Sequence, residues 1–192
     1  MAAVLRVGLT GRMASGKGEA ARLLVQRGFR YISLSDIVRR EAARLPVAPS
    51  RAGMQDIGNR LRTEGGAGVL GRLVREEVEA SGVPRWVIDG IRNPEEVREL
   101  RRLRAFFLVA VDSPPETILR RMRQRGRSGD TAGEAELRRA LEREWGLGEP
   151  AGGQQVGPTM ALADFTVGND GTLAEFQARL EAVLDKIGAA HG

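Results

Sequence analysis

The chain has 192 residues, 42% of them hydrophobic and 29% charged, which is enough to bury the core of one folded domain. It contains no cysteine and a single histidine, His191, in a Gly/Ala-rich tail, which excludes disulfides, thiolate metal sites, cysteine nucleophiles and histidine-based catalysis. The net charge of +5 favours an anionic partner, either a phosphorylated metabolite or nucleic acid, and the aromatic content of 4% makes nucleic acid the less expected of the two.

The longest apolar run, at 105–111, is much shorter than the roughly 20 residues that a helix needs to cross a bilayer. The first residues lack the charged and apolar segments of a signal peptide. We therefore expect a cytoplasmic protein without a membrane partner.

Short apolar segments alternate with longer segments of helical period, which is the pattern of a βαβ protein with a parallel sheet. In chain order the pattern predicts strands at 4–9, 29–32, 86–89, 105–111 and 164–167. It predicts helices at 17–27, 35–45, 51–62, 69–80, 94–103, 114–124, 134–144 and 173–187. The segment at 146–158 carries neither period and is predicted to be the loosest part of the chain.

A glycine-rich segment, Gly-Arg-Met-Ala-Ser-Gly-Lys-Gly at 11–18, lies between the first predicted strand and the first predicted helix. In this context a G-x-x-x-x-G-K pattern forms an anion site from backbone N–H groups and a helix N-terminus, and its lysine reaches the outer phosphates. An ordinary βα turn is the alternative interpretation. Lys17 is a predicted catalytic residue. The predicted nucleotide contacts are Gly11, Met13, Ala14, Ser15, Gly16, Lys17, Gly18 and Glu19.

The residues after Lys17 depart from the common form of this loop. Gly18 and then Glu19 stand where a serine or threonine hydroxyl would bind Mg²⁺. The strand at 86–89 ends in Asp89, and such a carboxylate beside the loop can hold hydrated Mg²⁺. A hairpin turn at Asp89-Gly90 is the alternative, but a helix is predicted to follow rather than a partner strand.

Two further segments carry candidate site residues. Ser33 and Asp36 have the spacing of a capping box at a helix start, which competes with direct ligand contact as their role. Arg39, on the same predicted helix, could bind an anion or face solvent. Asp112 and Ser113 predict a turn and a helix cap.

An arginine-rich segment follows that turn, with arginines at 120, 121, 123, 125 and 127. Some of these must lie on a solvated helix face, but a lid over a nucleotide needs such groups to neutralise the charge of a transferring phosphoryl group. Arg123 and Arg127 are the predicted catalytic lid residues, in a lid at about 123–134.

Together these motifs resemble those of nucleoside monophosphate kinases. The segment Tyr-Ile-Ser-Leu-Ser-Asp-Ile-Val-Arg at 31–39 is similar to H-I-S-T-G-D-M-L-R of adenylate kinases, and Asp-Gly-Ile-Arg at 89–92 is similar to D-G-F-P-R. The segment at 161–173 is similar to the A-D-x-x-I-x-N end of dephospho-CoA kinases. The resemblance implies that Asp36, Arg39 and Arg92 bind the phosphorylated acceptor and that Asn169 lies beside the adenine of ATP.

The resemblance also implies an α/β P-loop fold with a five-stranded parallel sheet, helices on both faces, and an acceptor-binding helical region at about 34–80. The expected activity is ATP- and Mg²⁺-dependent phosphotransfer to a small-molecule nucleotide, a ribo- or deoxynucleoside monophosphate. Dephospho-CoA kinase is the alternative of the same class. A P-loop switch or a nucleic-acid-associated ATPase is the alternative of another class. The oligomeric state is left open.

Overall fold

The structure is a computed structural model that describes residues 3–45, 51–125 and 133–189. The strands in these residues are β1 (Leu5–Thr10), β2 (Arg30–Ser33), β3 (Arg85–Ile91), β4 (Phe106–Asp112) and β5 (Phe165–Gly168). The helices in these residues are α1 (Lys17–Gln26), α2 (Leu34–Ala42), α3 (Arg51–Gly65), α4 (Val69–Ala80), α5 (Pro94–Leu100), α6 (Pro115–Arg125), α7 (Glu134–Trp145), α8 (Val156–Met160) and α9 (Leu173–Ala189).

The strands form one parallel five-stranded sheet in the order β2-β3-β1-β4-β5. Because β1 is central, the loop that follows it lies between the carboxyl ends of β3 and β4, the position at which open parallel sheets bind ligands. In the β1–β3 pairing Leu9 lies opposite Asp89 and Thr10 lies opposite Ile91, so Gly90 is an extra residue in β3. This bulge, with φ of +81° at Gly90, lies next to Asp89 and bends the end of the strand.

Helices cover both faces of the sheet, because neighbouring residues of the buried strands point to opposite sides. In β3, Trp86 and Ile88 join a cluster with residues of α2, α3, α4 and α5, whereas Val87 joins a cluster with α1 and α9. A third, smaller cluster packs α6 against α7 and includes Met13 and Ala14 of the glycine-rich loop. The loop therefore rests on the helices that flank the predicted lid.

The predicted fold class is confirmed, including the parallel sheet and the helices on both faces. The segment predicted to be loosest, 146–158, instead ends inside α8, whose Val156 and Thr159 are buried. The approach of this helix to α7 is close, since a Cβ on Gly157 would lie 2.6 Å from Trp145 Cε2. Five residues are too few to show a helical period, so α8 depends on this packing rather than on a sequence pattern.

None of the helices in residues 3–45, 51–125 and 133–189 is long and apolar enough to span a membrane.

Candidate functional site

The loop between β1 and α1 has the backbone of an anion-binding nest. Gly11, Ala14 and Gly16 all have positive φ, at +139°, +57° and +114°. A Cβ at Gly11 would lie 2.2 Å from Val111 O, and one at Gly16 would lie 2.1 Å from Asn169 Nδ2. Ala14 occupies a conformation that is costly for a residue with a side chain, a kind of strain that concentrates at functional sites. These residues therefore fit a phosphate cradle.

Lys17 begins α1 directly after this cradle. Its Nζ donates to Gly11 O at 2.6 Å and to Arg12 O at 2.7 Å, so the ammonium group spans the loop. The ammonium group therefore lies against the loop at the start of α1, and its contact with a bound phosphate stays a prediction.

The carbonyl of Ser15 is where three side chains from other elements meet the loop. It accepts hydrogen bonds from Asn169 Nδ2 at 2.8 Å, Ser113 Oγ at 3.0 Å and Arg121 Nη1 at 3.4 Å. Arg121 also donates to Asn169 Oδ1 at 3.2 Å. Burial, followed by the nearby charge of Arg120, lowers the pKa of Arg121. The sequence-based expectation that Ser113 caps a helix is wrong: its hydroxyl instead ties the loop to the end of β5.

A cleft of about 280 Å³ opens on this side of the loop. It is lined by Ala14, Gly16, Glu19, Arg121, Asn169, Gly171 and Leu173. The carboxylate of Glu19 is ion-paired with Arg22 and accepts from Gln177 Nε2 at 3.2 Å, and the bond from Arg22 is the main reason that the pKa of Glu19 is lowered. Glu19 therefore sits at the rim of the cleft with its charge compensated.

Asp89 lies at the carboxyl edge of β3, with Leu9 on one side and Ser33 on the other in the strand register. Its Oδ2 accepts from Tyr31 Oη at 3.3 Å, while its Oδ1 is buried and has no hydrogen-bond donor among the described residues. The described part of the chain contains no cluster of three acidic or histidine side chains that could enclose a metal. Asp89 therefore fits Mg²⁺ that keeps most of its waters, which is how this ion is commonly held beside phosphates.

The hydrogen bond from Tyr31 to Asp89 predicts a measurable titration. Partial burial of Tyr31, which is 44% exposed, and after it the charge of Asp89 raise the pKa of Tyr31 to about 12. The neutral phenol is therefore favoured in the folded protein, and the stability that it contributes below pH of about 10 is lost as the pH rises toward 12. Because Tyr31 is the only tyrosine, tyrosinate absorbance reports it alone.

At pH 11 we expect about a tenth of Tyr31 to be ionised, whereas an unperturbed tyrosine would be about nine-tenths ionised. Asp89→Asn should move the midpoint only part of the way toward 10, because burial is the larger cause. A midpoint near 10 in the unaltered protein would contradict this description of the Tyr31–Asp89 pair.

The predicted capping box at the start of α2 is present. Asp36 Oδ2 accepts from Ser33 N at 2.9 Å, and Ser33 Oγ accepts from Ser35 N at 3.0 Å. The other carboxylate oxygen of Asp36 is paired with the exposed guanidinium of Arg39. Both oxygens of Asp36 are therefore engaged at the start of α2, the helix that carries Arg39 and that follows β2, the strand next to Asp89.

Arg92 follows β3 and is held at several points. Its N–H donates to Glu96 Oε2 at 2.8 Å and its carbonyl accepts from Gln155 N at 2.7 Å. Its guanidinium donates to Gln154 Oε1 at 3.1 Å and lies 3.6 Å from Glu144 Oε1. Arg92 is thus fixed directly after β3, the strand next to β1.

The buried pair Arg62–Glu96 joins α3 to the Arg92 turn. Arg62 donates from Nε and Nη2 to Glu96 Oε1 at 3.0 and 2.8 Å, and the two side chains are 5% and 0% exposed. The second oxygen of Glu96 accepts from the N–H groups of Arg92 and Asn93. Removal of either partner would leave a buried charge without its counter-ion, so the pair ties the position of α3 to the Arg92 turn.

The predicted lid lies partly outside the described residues. Arg127, together with 126–132, is not described. Arg123 is paired with Glu134 at the start of α7, and Glu134 also accepts from Arg138 at 3.0 Å. In this arrangement Arg123 links the two helices that flank the lid.

Three residues of the site were missed by sequence reasoning: Arg121, Ser113 and Glu144. Arg121 belongs to a run of arginines from which Arg123 and Arg127 were chosen instead. On α6, Arg121 and Arg123 differ only in the direction in which each side chain leaves the helix. Glu144 accepts from Met13 N at 2.7 Å although it comes from a helix with many charges and no motif. A signal for Arg121 was available, since it lies on a different helical face from Arg120 and Arg123.

Comparisons with known proteins agree with this architecture. The family description "AAA domain" matches residues 7–142. A UPF0200 protein of Saccharolobus islandicus is 38% identical over 181 residues, covering 93% of this chain and 92% of the relative. A UPF0200 protein of Methanoculleus marisnigri is 34% identical, covering 95% and 96% of the two chains. The solved shikimate kinase of Bacteroides thetaiotaomicron is 15% identical, covers 97% and 99% of the two chains, and has a TM-score of 0.60, which shows a shared P-loop kinase-like fold.

Proposed function

The chain belongs to the UPF0200 family, and we propose that it is an ATP- and Mg²⁺-dependent kinase whose acceptor is a small phosphorylated molecule, a ribo- or deoxynucleoside monophosphate. In this proposal the phosphate cradle at 11–18 binds the donor nucleotide. The helical region at about 34–80 and Arg92 bind the acceptor, and the segment at about 123–134 closes over both.

The observation that carries this proposal is the positive charge of Arg39 and Arg92, the two side chains that we expect to bind the acceptor. We call their part of the site the acceptor side. Arg39 lies on α2, which begins directly after β2, and Arg92 directly follows the adjacent strand β3, while both carboxylate oxygens of Asp36 are already engaged. A hydroxyl acceptor needs a general base, whereas a phosphate acceptor is already an oxyanion and needs cations that position it. Guanidinium groups suit a phosphate because they can donate two hydrogen bonds to it.

The donor side supports the same reaction. ATP with Mg²⁺ would supply the phosphoryl group and the cation that offsets the charge on it. Lys17 and the loop amides would hold the outer phosphates, and Asp89 would bind the metal through water. The cleft with Arg121 and Leu173 would take the adenine, beside Asn169. Arg123 and Arg127 would act from the lid as cations near the phosphoryl group.

A substrate panel tests this proposal. Ribo- and deoxynucleoside monophosphates and dephospho-CoA are each incubated with Mg·ATP, and ADP formation is measured. We expect at least one monophosphate to raise ADP formation well above the rate without acceptor. ADP formation with dephospho-CoA alone would move the assignment to that alternative. Binding of Mg·ATP without any acceptor-dependent ADP would support a switch, and stimulation by nucleic acid would support an ATPase acting on it.

A further inference from the structure

The carboxyl end of α7 docks directly on the phosphate cradle. Glu144 Oε2 accepts from Met13 N at 2.7 Å, and the guanidinium of Arg12 lies 4.3 Å from the centre of the Trp145 ring. The Glu144 residue is 1% exposed. A carboxylate buried this deeply needs strong partners, and one of its two partners is a backbone amide of the loop itself.

The second carboxylate oxygen of Glu144 lies toward Arg92, on the acceptor side. Glu144 Oε1 lies 3.6 Å from Arg92 Nη1, within range of an ion pair but too far for a hydrogen bond. Neither this oxygen nor Arg92 Nε has a hydrogen-bond partner among the described residues, and both atoms are buried. The pair is therefore incompletely bonded, and its desolvated groups gain from any change that gives them better partners.

The backbone around Arg92 is held more firmly than its side chain. Glu96 binds the Arg92 N–H and is itself fixed by Arg62, while Gln155 binds the Arg92 carbonyl. Only the guanidinium is thus left to adjust, and its direction is decided by Glu144 and Gln154. One carboxylate consequently contacts both the donor loop and the arginine on the acceptor side.

We propose that Glu144 is a positioning residue that orients the Arg92 guanidinium toward the acceptor phosphate. Through Met13 it also holds the phosphate cradle at a fixed position relative to Arg92. The proposal rests on the proposed function, because the anion that Arg92 meets is the acceptor's phosphate. The five N–H donors of a guanidinium allow Arg92 to keep its contact with Glu144 while it binds an acceptor oxygen. Loss of the Glu144 charge therefore weakens acceptor binding without direct contact between Glu144 and either substrate.

Two variants separate the two contacts of Glu144. In Glu144→Gln the amide oxygen still accepts from Met13 N, so the Kd for Mg·ADP should stay within about twofold, while the acceptor KM rises on the order of tenfold through the lost charge. In Glu144→Ala both contacts are lost, so the Kd for Mg·ADP should also rise severalfold. Glu142→Gln, an exposed residue on the same helix, is the matched control and should change neither quantity.

Thermal unfolding provides a test that needs no acceptor. Arg92→Gln leaves the buried Glu144 charge unpaired, so Glu144→Gln should restore part of the Tm that Arg92→Gln loses. A double variant less stable than Arg92→Gln alone would overturn the pairing of Glu144 with Arg92. Equal effects of Glu144→Gln on the Mg·ADP Kd and on the acceptor KM would overturn it as well. If the unaltered protein phosphorylates no acceptor, the proposed function fails. The acceptor part of this proposal then fails with it, and the Mg·ADP and Tm comparisons decide separately whether Glu144 holds the loop through Met13 and pairs with Arg92.

Discussion

Replacement of Lys17 by alanine is expected to lower kcat for acceptor-dependent ADP formation by about 10²-fold or more, the effect of removing one donor that stabilises the transition state. The Lys17 ammonium lies over the loop, within 2.7 Å of two of its carbonyls, and would meet the outer phosphates of a bound nucleotide. Because charge accumulates on the transferring phosphoryl group, the ammonium group stabilises the transition state more than the bound ground state.

Lys186 provides the matched control because it is the only other lysine and is exposed on α9. Lys186→Ala should keep the kcat of the unaltered protein. Steady-state kinetics of both variants, with thermal unfolding to confirm that each is folded, make the comparison. A kcat for Lys17→Ala within a fewfold of the unaltered protein would show that the loop is not a catalytic phosphate site.

Replacement of Gly11 by alanine is expected to damage both stability and nucleotide binding. The new Cβ would lie 2.2 Å from Val111 O, a backbone atom of the buried strand β4, at a φ of +139°. Overpacking and the unfavourable φ together should cost about 2–4 kcal/mol of the free energy of unfolding. For a chain of this size that corresponds to a fall in Tm of roughly 5–15 °C. The displaced loop should also bind Mg·ATP more weakly.

Gly18→Ala is the control for Gly11→Ala. A Cβ at Gly18 meets nothing within 4 Å, and Gly18 lies inside α1, where alanine is favoured over glycine by up to about 1 kcal/mol. This variant should keep or slightly raise the Tm of the nucleotide-free protein. Calorimetry of both variants with and without Mg·ATP measures the difference. Equal Tm values for the two variants would contradict the tight approach of the loop to β4.

The fold could be predicted because its signals are local. Each central strand reads as a short apolar run, and each longer helix shows a period that separates a buried face from a solvated one. The pairing of Leu9 with Asp89 was not predicted, because parallel strands need not pair in chain order: β1 pairs with β3 and β4 rather than with β2. The small helix α8 was missed because its five residues carry no such signal and it depends on packing against Trp145.

In the candidate site, too, residues that belong to a local sequence pattern could be predicted, whereas residues placed only by tertiary contacts could not. The positions of the loop at 11–18 after β1 and of Asp89 near the end of β3 could be predicted, because glycine-rich turns and strand ends leave a pattern in the sequence. Their binding roles stay predictions. The helical spacing places Arg121 and Arg123 on different faces of α6, but it does not say which face meets the loop, and only the surrounding contacts place Arg121 against Asn169. Glu144 was out of reach for a different reason: its partner Met13 is 131 residues away, and a backbone amide has no sequence signature.

The same limit applies to the arginines of the acceptor side. Arg39 and Arg92 were predicted from a resemblance, and the structure places them after adjacent strands, but each is engaged by a carboxylate of the chain itself. Such pairs must open or share the guanidinium when an anion arrives. Their roles in acceptor binding therefore stay predictions that rest on the charge of this side of the site.

Transfer of label from [γ-³²P]ATP tests the central claim most directly. The protein is incubated with Mg·ATP and each nucleoside monophosphate in turn, and the products are separated. The proposal predicts label in a nucleoside diphosphate in the presence of the unaltered protein, and on the order of 10²-fold less with Lys17→Ala. Label that appears only as inorganic phosphate, at a rate that no acceptor changes, would contradict it.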